Sequence, residues 1–368
     1  MRLKNRKQRQ PKSKRKRLKD IRLNTVSCKS NLMPFHLRWY DLNPKLLRLV
    51  NEIFNFLGTN YIEDSDCFFR LTYPQELIKL AIQAPNWCSF LNLGIRFERG
   101  RFFIGFIASI LVEIIYKNLF FPSAEVNFLC LEKKIRKKGL VSSLIKEETR
   151  RLNSLGIIQA LYTTGLAFPE SIVKCKYFHL PLNHLRLARF GFQSLSEFKP
   201  RNYNQTLWKI KTPYLNSFLL NIPKNVRFFF SKFKIYKFFD KKSYFHWFKS
   251  VPGVIFGFEN FFSKERNISF FLYSLPNKIL KRKKEFFLFP IYLYQNFSEK
   301  KEIKKFFDKI LSVFYQMGFD VFNILEGNLD RPFLFQNHFR EGTGSLQFHF
   351  FNWKYHNINP RENGLVFF

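Results

Sequence analysis

Hydrophobic residues along this chain follow two different periods, and the grouping predicts an order of elements. From Phe102 the sequence is almost continuously apolar for eleven residues, and the run stops at Glu113. A helix that crosses a bilayer needs about 20 such residues; a short unbroken run is the mark of a strand buried on both faces. Leu91 to Arg96 and Phe102 to Leu111 flank Arg99-Gly100-Arg101 and read as paired strands. Val126 and Phe128 head a further buried strand, which breaks into a basic turn; a helix opens at Leu140 and runs to Leu155. Upstream, Asp41-Leu42-Asn43-Pro44 precedes a helical stripe of Leu46, Leu47, Leu49, Val50, Ile53, Phe54 and Leu57. Between Pro200 and Lys241 the periodicity dissolves into Phe- and Lys-rich text, where a boundary between two lobes is expected. Order returns with strands at Ser269 to Pro276 and Phe286 to Leu293, and a helix over Lys304 to Tyr315. Strands and helices interleaved in this way predict an α/β (α+β) fold with a mixed sheet flanked by helices.

Composition changes this picture little. A chain of 368 residues with 46% apolar content can bury one large core or two ordinary ones. Fifty phenylalanines, with abundant Lys, Ile and Asn, match AT-rich coding drift and carry no functional weight. A net charge of +35 suits a polyanionic partner such as nucleic acid or a membrane surface, and equally a lysine-rich surface without one. Cys28, Cys67, Cys88, Cys130 and Cys175 lie far apart, with no C-x-x-C and no His pair at metal spacing, so free thiols and no metal site are expected. Eleven Lys or Arg and no acid fall between Met1 and Lys19. Like charges with little apolar surface to bury predict a disordered tail, and without an apolar core it is no secretory signal.

Candidate chemistry centres on Arg136-Lys137-Lys138-Gly139-Leu140-Val141, between strand and helix. Glycine allows close backbone approach, and the first amides of a helix are unpaired donors at a positive dipole end. Such a turn suits a pyrophosphate. It is followed by GIIQALYTTGLAFPESIVKCKYFH from Gly156 to His179. With NFLC at 127–130, KKIR at 133–136 and EETRR at 147–151, this stretch resembles the core of the N-myristoyltransferase family, the glycylpeptide N-tetradecanoyltransferases. NYIEDSDCFFRLTY at 60–73, GFDVFN at 318–323, GTGSLQ at 342–347, NWK at 352–354 and the closing GLVFF extend the resemblance from about Leu32 to Phe368.

The resemblance implies two acetyltransferase-like (GNAT) lobes related by a pseudo-twofold axis. These are an acyl-CoA lobe at 32–205 and a peptide lobe at 206–368, after a basic tail at 1–31. It implies transfer of myristate from myristoyl-CoA, a co-substrate, to the α-amine of an N-terminal glycine, with no tightly bound cofactor and no metal. By the same resemblance Phe128, Leu129, Cys130 and Leu131, with Arg136, Lys137, Lys138, Gly139, Leu140, Val141 and Ser142, hold coenzyme A. Asp64 and Asp66 face basic residues of the peptide, and Tyr61, Phe69 and Tyr73 line its channel. Asn127, Thr163, Gly165, Tyr177, His179, Tyr292 and Asn323 contact the peptide or its amine, and Gly342, Leu346 and Phe367 complete that surface. The amides of Phe128 and Leu129, freed by a bulge, form the oxyanion hole.

The implied base is the terminal carboxylate of Phe368. Direct proton transfer from a glycine ammonium to a free α-carboxyl is uphill by about 6 kcal/mol, and burial narrows the gap from both sides. The apolar end Val366-Phe367-Phe368 fits that need. Glycine peptides and proteins are the implied partners, with ribosomes or an anionic surface for the basic tail, and the chain is expected to be a cytoplasmic monomer. Four positions depart from the family's pattern: Leu71 replaces an aromatic, Gly139 a basic residue, Phe271 a small polar one and Thr343 an acid. Two other readings stay open: an acyl-CoA N-acyltransferase of different chain length or acceptor, and a basic ribosome- or RNA-binding protein without catalysis.

Overall fold

The computed structural model describes residues 33–34, 36–62, 68–165, 168, 171–192, 230–259, 269–280, 284–296, 307, 310–327, 329–353 and 357–366. The basic tail, the expected lobe boundary at 205, Asp64, Asp66, Phe367 and Phe368 lie outside the described residues.

The first half is built on long antiparallel strands. After β1 (Leu37–Asp41) come α1 (Leu47–Asn60), β2 (Phe69–Leu71) and α2 (Gln75–Ile82), then β3 (Asn92–Phe97), β4 (Phe103–Tyr116) and β5 (Leu119–Leu131). The apolar run forms the start of β4 from Phe103, with burial unbroken to Ile110, while Phe102 stands exposed just before it. The strand continues past Glu113 because Lys117 and Asn118, both with positive φ (45° and 64°), close a tight hairpin into β5. In α1 the buried face is Val50, Ile53, Phe56 and Leu57. Leu46 and Leu47, expected in that stripe, are more than half exposed at its first turn. They line an open apolar hollow of about 410 Å³ with Tyr40 and Leu49.

α3 (Leu140–Ser154) follows β5 and lies across β4 and β5 through Leu144 and Leu152. Its charged residues are tied down as well. Arg151 donates to Glu147 at 2.9 Å and to Asp41 of β1 at 2.5 Å, which clamps the helix to the sheet edge. β6 (Ala160–Thr164) and β7 (Val173–Pro181) complete this half.

The second half supplies β8 (Ile235–Phe238), β9 (Ile255–Glu259), β10 (Ser269–Ser274), β11 (Asn277–Ile279), β12 (Phe286–Leu288), β13 (Pro290–Asn296), β14 (Val321–Leu325), β15 (Arg340–Phe351) and β16 (Asn363–Gly364). One strand was expected over Phe286 to Leu293, and two are found. Pro290 has no amide to give, and Phe289 donates its own to Asp320 Oδ2, so pairing breaks between them. β12 then joins a small sheet with β11 and β2, while β13 joins the main one. The helix expected over Lys304 to Tyr315 is present at 310–316.

Among the described residues the main sheet has thirteen strands, running β1-β3-β4-β5-β6-β15-β7-β14-β13-β10-β9, with β8 on the far half of β4 and β16 on β8. It is mixed: β5–β6, β13–β14 and β8–β16 are parallel, the other pairs antiparallel. One break in this path bears on the site. β5 and β6 pair only at Ala124–Ala160 and Glu125–Leu161. Beyond that, β6 pairs with β15 while β5 stays with β4, so the ladder between β5 and β6 has ended before Asn127. No helix among the described residues is long and apolar enough to cross a membrane.

Candidate active site

Just past that break, β5 carries an extra residue. Phe106 faces Cys130 and Ala108 faces Asn127, so three steps on β5 match two on β4. The excess is taken up at Phe128, whose φ of 57° is left-handed. That conformation costs a bulky residue about 1–2 kcal/mol and is held only where packing enforces it. Here the packing is aromatic: Phe128 lies edge-on to Tyr73 at 5.4 Å and tilted against Tyr61 at 5.9 Å. A bulge turns main-chain amides out of the ladder. Burial raises the Tyr61 phenol well above its ordinary range, and the nearby Phe128 backbone opposes the rise.

Below the bulge the chain makes the basic turn. Arg136 donates Nε to the Leu131 carbonyl at 3.1 Å and an η-nitrogen to the Asn60 carbonyl. Its guanidinium therefore braces the turn against the end of α1. Lys137 (φ 67°) and Gly139 (φ 79°) are both left-handed, and Gly139 is the N-cap of α3 without a side-chain cap. Lys137, Lys138, Gly139, Val141 and Ser142 are exposed, Leu140 half so. The first-turn amides and two lysines remain available to an anion. Cys130 is buried, and burial pushes its thiol up to about 12, with Arg136 opposing. It is a neutral packing group.

Further along the sheet, β7, β13 and β14 present a polar network. His179 Nδ1 lies 2.6 Å from Asn323 Oδ1, the two residues being cross-strand partners. A carboxamide oxygen accepts only, so Nδ1 carries the proton and Nε2 is the free acceptor. Burial lowers the imidazole's affinity for a second proton, with Asn323 opposing, and the ring is neutral at pH 7. Burial pushes the Tyr292 phenol up to about 12, with Asn323 and Asn277 opposing the rise. Tyr273 stacks on Tyr292 at 5.1 Å, and Tyr177 meets it edge-on at 6.3 Å. Gly342 has to be glycine: a Cβ there would lie 2.6 Å from His179 Cδ2 and closer still to Nε2.

The sequence that builds this arrangement matches a known family. Residues 18–175 match Myristoyl-CoA:protein N-myristoyltransferase, N-terminal domain, and residues 219–365 match its C-terminal domain. The chain belongs to the N-myristoyltransferase family. It is thereby an acyltransferase. A glycylpeptide N-tetradecanoyltransferase of Plasmodium falciparum is 32% identical over 332 residues, covering 86% of this chain and 79% of its own. Glycylpeptide N-tetradecanoyltransferase 1 of Arabidopsis thaliana is 29% identical over 355 residues, 94% of this chain and 82% of its own. Saccharomyces cerevisiae N-myristoyltransferase, solved with bound myristoyl-CoA, superposes with a TM-score of 0.77 at 27% identity, over 91% of this chain and 83% of that one. The family match begins at residue 18, upstream of Leu32 where the motifs first become legible.

In this member of the family the expected site residues fall into connected groups. Tyr61, Tyr73 and Phe128 form one aromatic cluster, and Tyr177, His179, Tyr292, Asn323 and Gly342 form another. The Tyr292 phenol is close enough to Tyr73 to oppose its ionisation, which burial already disfavours. Phe69 sits at the rim, edge-on to Phe192, which in turn meets His179. Thr163 is the cross-strand partner of Phe348, and Leu346 of Cys175, on one face of β15. Among the described residues, nothing lies within 4 Å of where a Cβ on Gly165 would sit. Phe271 is fully buried against Phe248 at 4.8 Å and fills core space. Among the described residues no group of three or more His, Cys, Asp or Glu could hold a metal ion.

Sequence reasoning missed three neighbours of the site. Tyr273 was legible in principle, since it shares a strand face with buried Phe271 and the pattern SFFLYS alternates there. Glu125 and Lys237 were not: an acid at a strand's start and one lysine among many carry no signal until the fold brings them together.

Proposed function

We propose that the protein transfers a myristoyl group from myristoyl-CoA to the α-amine of an N-terminal glycine on peptides and proteins. The observation that carries this reading is the bulge at Phe128, set between Asn127 and the anion turn on a single continuous piece of chain. The α3 amides, Lys137 and Lys138 bind the pyrophosphate of coenzyme A, while Arg136 keeps the turn in shape. The thioester carbonyl lies at the bulge, where the Phe128 and Leu129 amides receive the developing negative charge. Removing one such donor typically costs about 3–4 kcal/mol in the transition state.

Asn127 meets the glycine amine, and the terminal carboxylate of Phe368 removes its proton. The amine nitrogen attacks the thioester carbon, the C–S bond breaks, and coenzyme A leaves as the thiol. Tyr177, His179, Tyr292 and Asn323 read the peptide beyond its first residue, with Asp64 and Asp66 on its basic positions. A myristoyl tail contributes roughly 10 kcal/mol of burial, and the same bound chain positions the reacting carbon. The basic tail brings a cytoplasmic, monomeric enzyme to ribosomes or another anionic surface.

The test is an assay of thiol release with myristoyl-CoA and short Gly-x-x-x-Ser/Thr peptides. Release that depends on the glycine amine is expected; no release with any such peptide would remove the reading. Adding residues after Phe368 is expected to abolish turnover while myristoyl-CoA still binds. Full activity of the extended chain refutes the terminal base.

A further inference from the structure

Behind Asn127 lies an ion pair for which the transfer reaction alone has no use. Lys237 Nζ meets Glu125 Oε2 at 2.5 Å, and both side chains are shut off from solvent. Lys237 comes from β8 in the second half of the chain and Glu125 from β5 in the first. Its ammonium also stands 4.9 Å over the Trp247 ring. A buried pair of this kind adds little net stability, because desolvating both charges offsets most of their attraction. The second oxygen of Glu125 gives the pair a consequence. Oε1 accepts a hydrogen bond from Asn127 Nδ2 at 3.1 Å.

A carboxylate facing an ammonium has acceptors only, so only the nitrogen end of the Asn127 carboxamide can turn toward it. The oxygen end is thereby set away from the pair, and none of the described residues donates to it. An incoming glycine amine offers donors. A carboxamide oxygen accepts from it, whereas a carboxamide nitrogen in the same place repels it.

We propose that Lys237, acting through Glu125, is a positioning residue that orients the Asn127 carboxamide so that its oxygen receives the substrate's α-amine. This rests on the reading above in which Asn127 faces that amine. The pair works as an orientation lock shared by the two halves of the chain, and Lys237 touches no substrate itself.

Glu125→Gln tests it with size and shape preserved. Lys237 still requires an acceptor, so the new amide gives it the oxygen and turns its own NH2 to Asn127, which reverses the Asn127 carboxamide. With the full chain and a glycine-initiated peptide, kcat/KM is expected to fall about 10- to 100-fold, the effect of losing a hydrogen bond to a charged group. Binding of myristoyl-CoA, and of a des-amino peptide carrying acetyl in place of the terminal glycyl group, is expected to change less than about threefold. Asn127→Leu should produce a comparable loss, and adding E125Q to it should cost nothing further, because both act at one point. Lys237→Arg, which keeps the charge, should rescue most of the loss seen in Lys237→Met. An equal loss from E125Q in the N127L background, or equal weakening of the des-amino peptide or of myristoyl-CoA, would show a merely structural pair and overturn the proposal. If the unaltered chain releases no thiol, the transferase reading itself fails, before any variant is made; an active chain indifferent to Asn127→Leu sinks only the orientation lock.

Discussion

Glu148 lies in the middle of the face that α3 presents to β4, and it is 2% exposed. Neither carboxyl oxygen has a hydrogen-bond partner; the Ser109 hydroxyl stands beside it without closing one. Burial raises its pKa from the usual 4.5 to about 8, against smaller opposing contributions from Ser109 and Arg151 and with Glu147 and Asp41 adding to the rise. The sign follows from which state holds the proton. Below pH 4.5 folded and unfolded chains are both protonated at this position, and the group is neutral to stability. Between 4.5 and 8 the unfolded chain releases the proton while the fold retains it, so stability falls as pH rises, and the loss levels off above 8. One pH unit in this window is worth about 1.4 kcal/mol. Glu148→Gln, neutral at every pH and of the same shape, should therefore stabilise the fold by about 1 kcal/mol at pH 5 and about 3 kcal/mol at pH 7, approaching 5 kcal/mol above pH 8. Urea unfolding followed by tryptophan fluorescence at pH 5, 7 and 8.5 measures it. A gain that does not grow with pH would show that the carboxyl is solvated or paired, and the account of this interface would be wrong.

Two further outcomes follow from the site. Gly342→Ala forces a methyl group into the His179 ring, so the His179–Asn323 bond breaks; kcat/KM for peptide should fall more than about tenfold, with myristoyl-CoA affinity unchanged by titration. Lys137→Glu with Lys138→Glu reverses two exposed charges at the open end of α3; the KM for myristoyl-CoA should rise about tenfold and its salt dependence should weaken, while the KM for peptide holds.

Much of the site could be read before the fold was known, because its parts are local. The run from Asn127 to Ser142 contains turn and helix start in sequence order, each a short-range consequence of residue type, whereas the bulge at Phe128 is held by the distant rings of Tyr61 and Tyr73. Glycine permits the left-handed cap at 139, and the apolar alternation places Phe128 inward. Likewise the restraint on Gly342 was visible as a glycine motif, although its reason, the His179 ring across the sheet, was not. Periodicity also placed α1, β4 and α3 with errors of only a few residues at their ends.

Other features depend on contacts between distant parts of the chain. Leu46 and Leu47 belong to an apolar stripe by spacing yet stand in the open, since what covers a stripe is a neighbour and not a period. Phe286 to Leu293 reads as one strand, and only the amide of Phe289 bonding to Asp320, 31 positions away, shows why it is two. Lys237 and Glu125 are separated by 112 residues, and neither letter differs from any other lysine or glutamate until β8 is laid against β4. Local chemistry is written in neighbouring residues because backbone sterics and helix ends act over a few bonds. Electrostatic pairing and closure of a core act through space, and so only the folded arrangement of the sheet decides which charges meet.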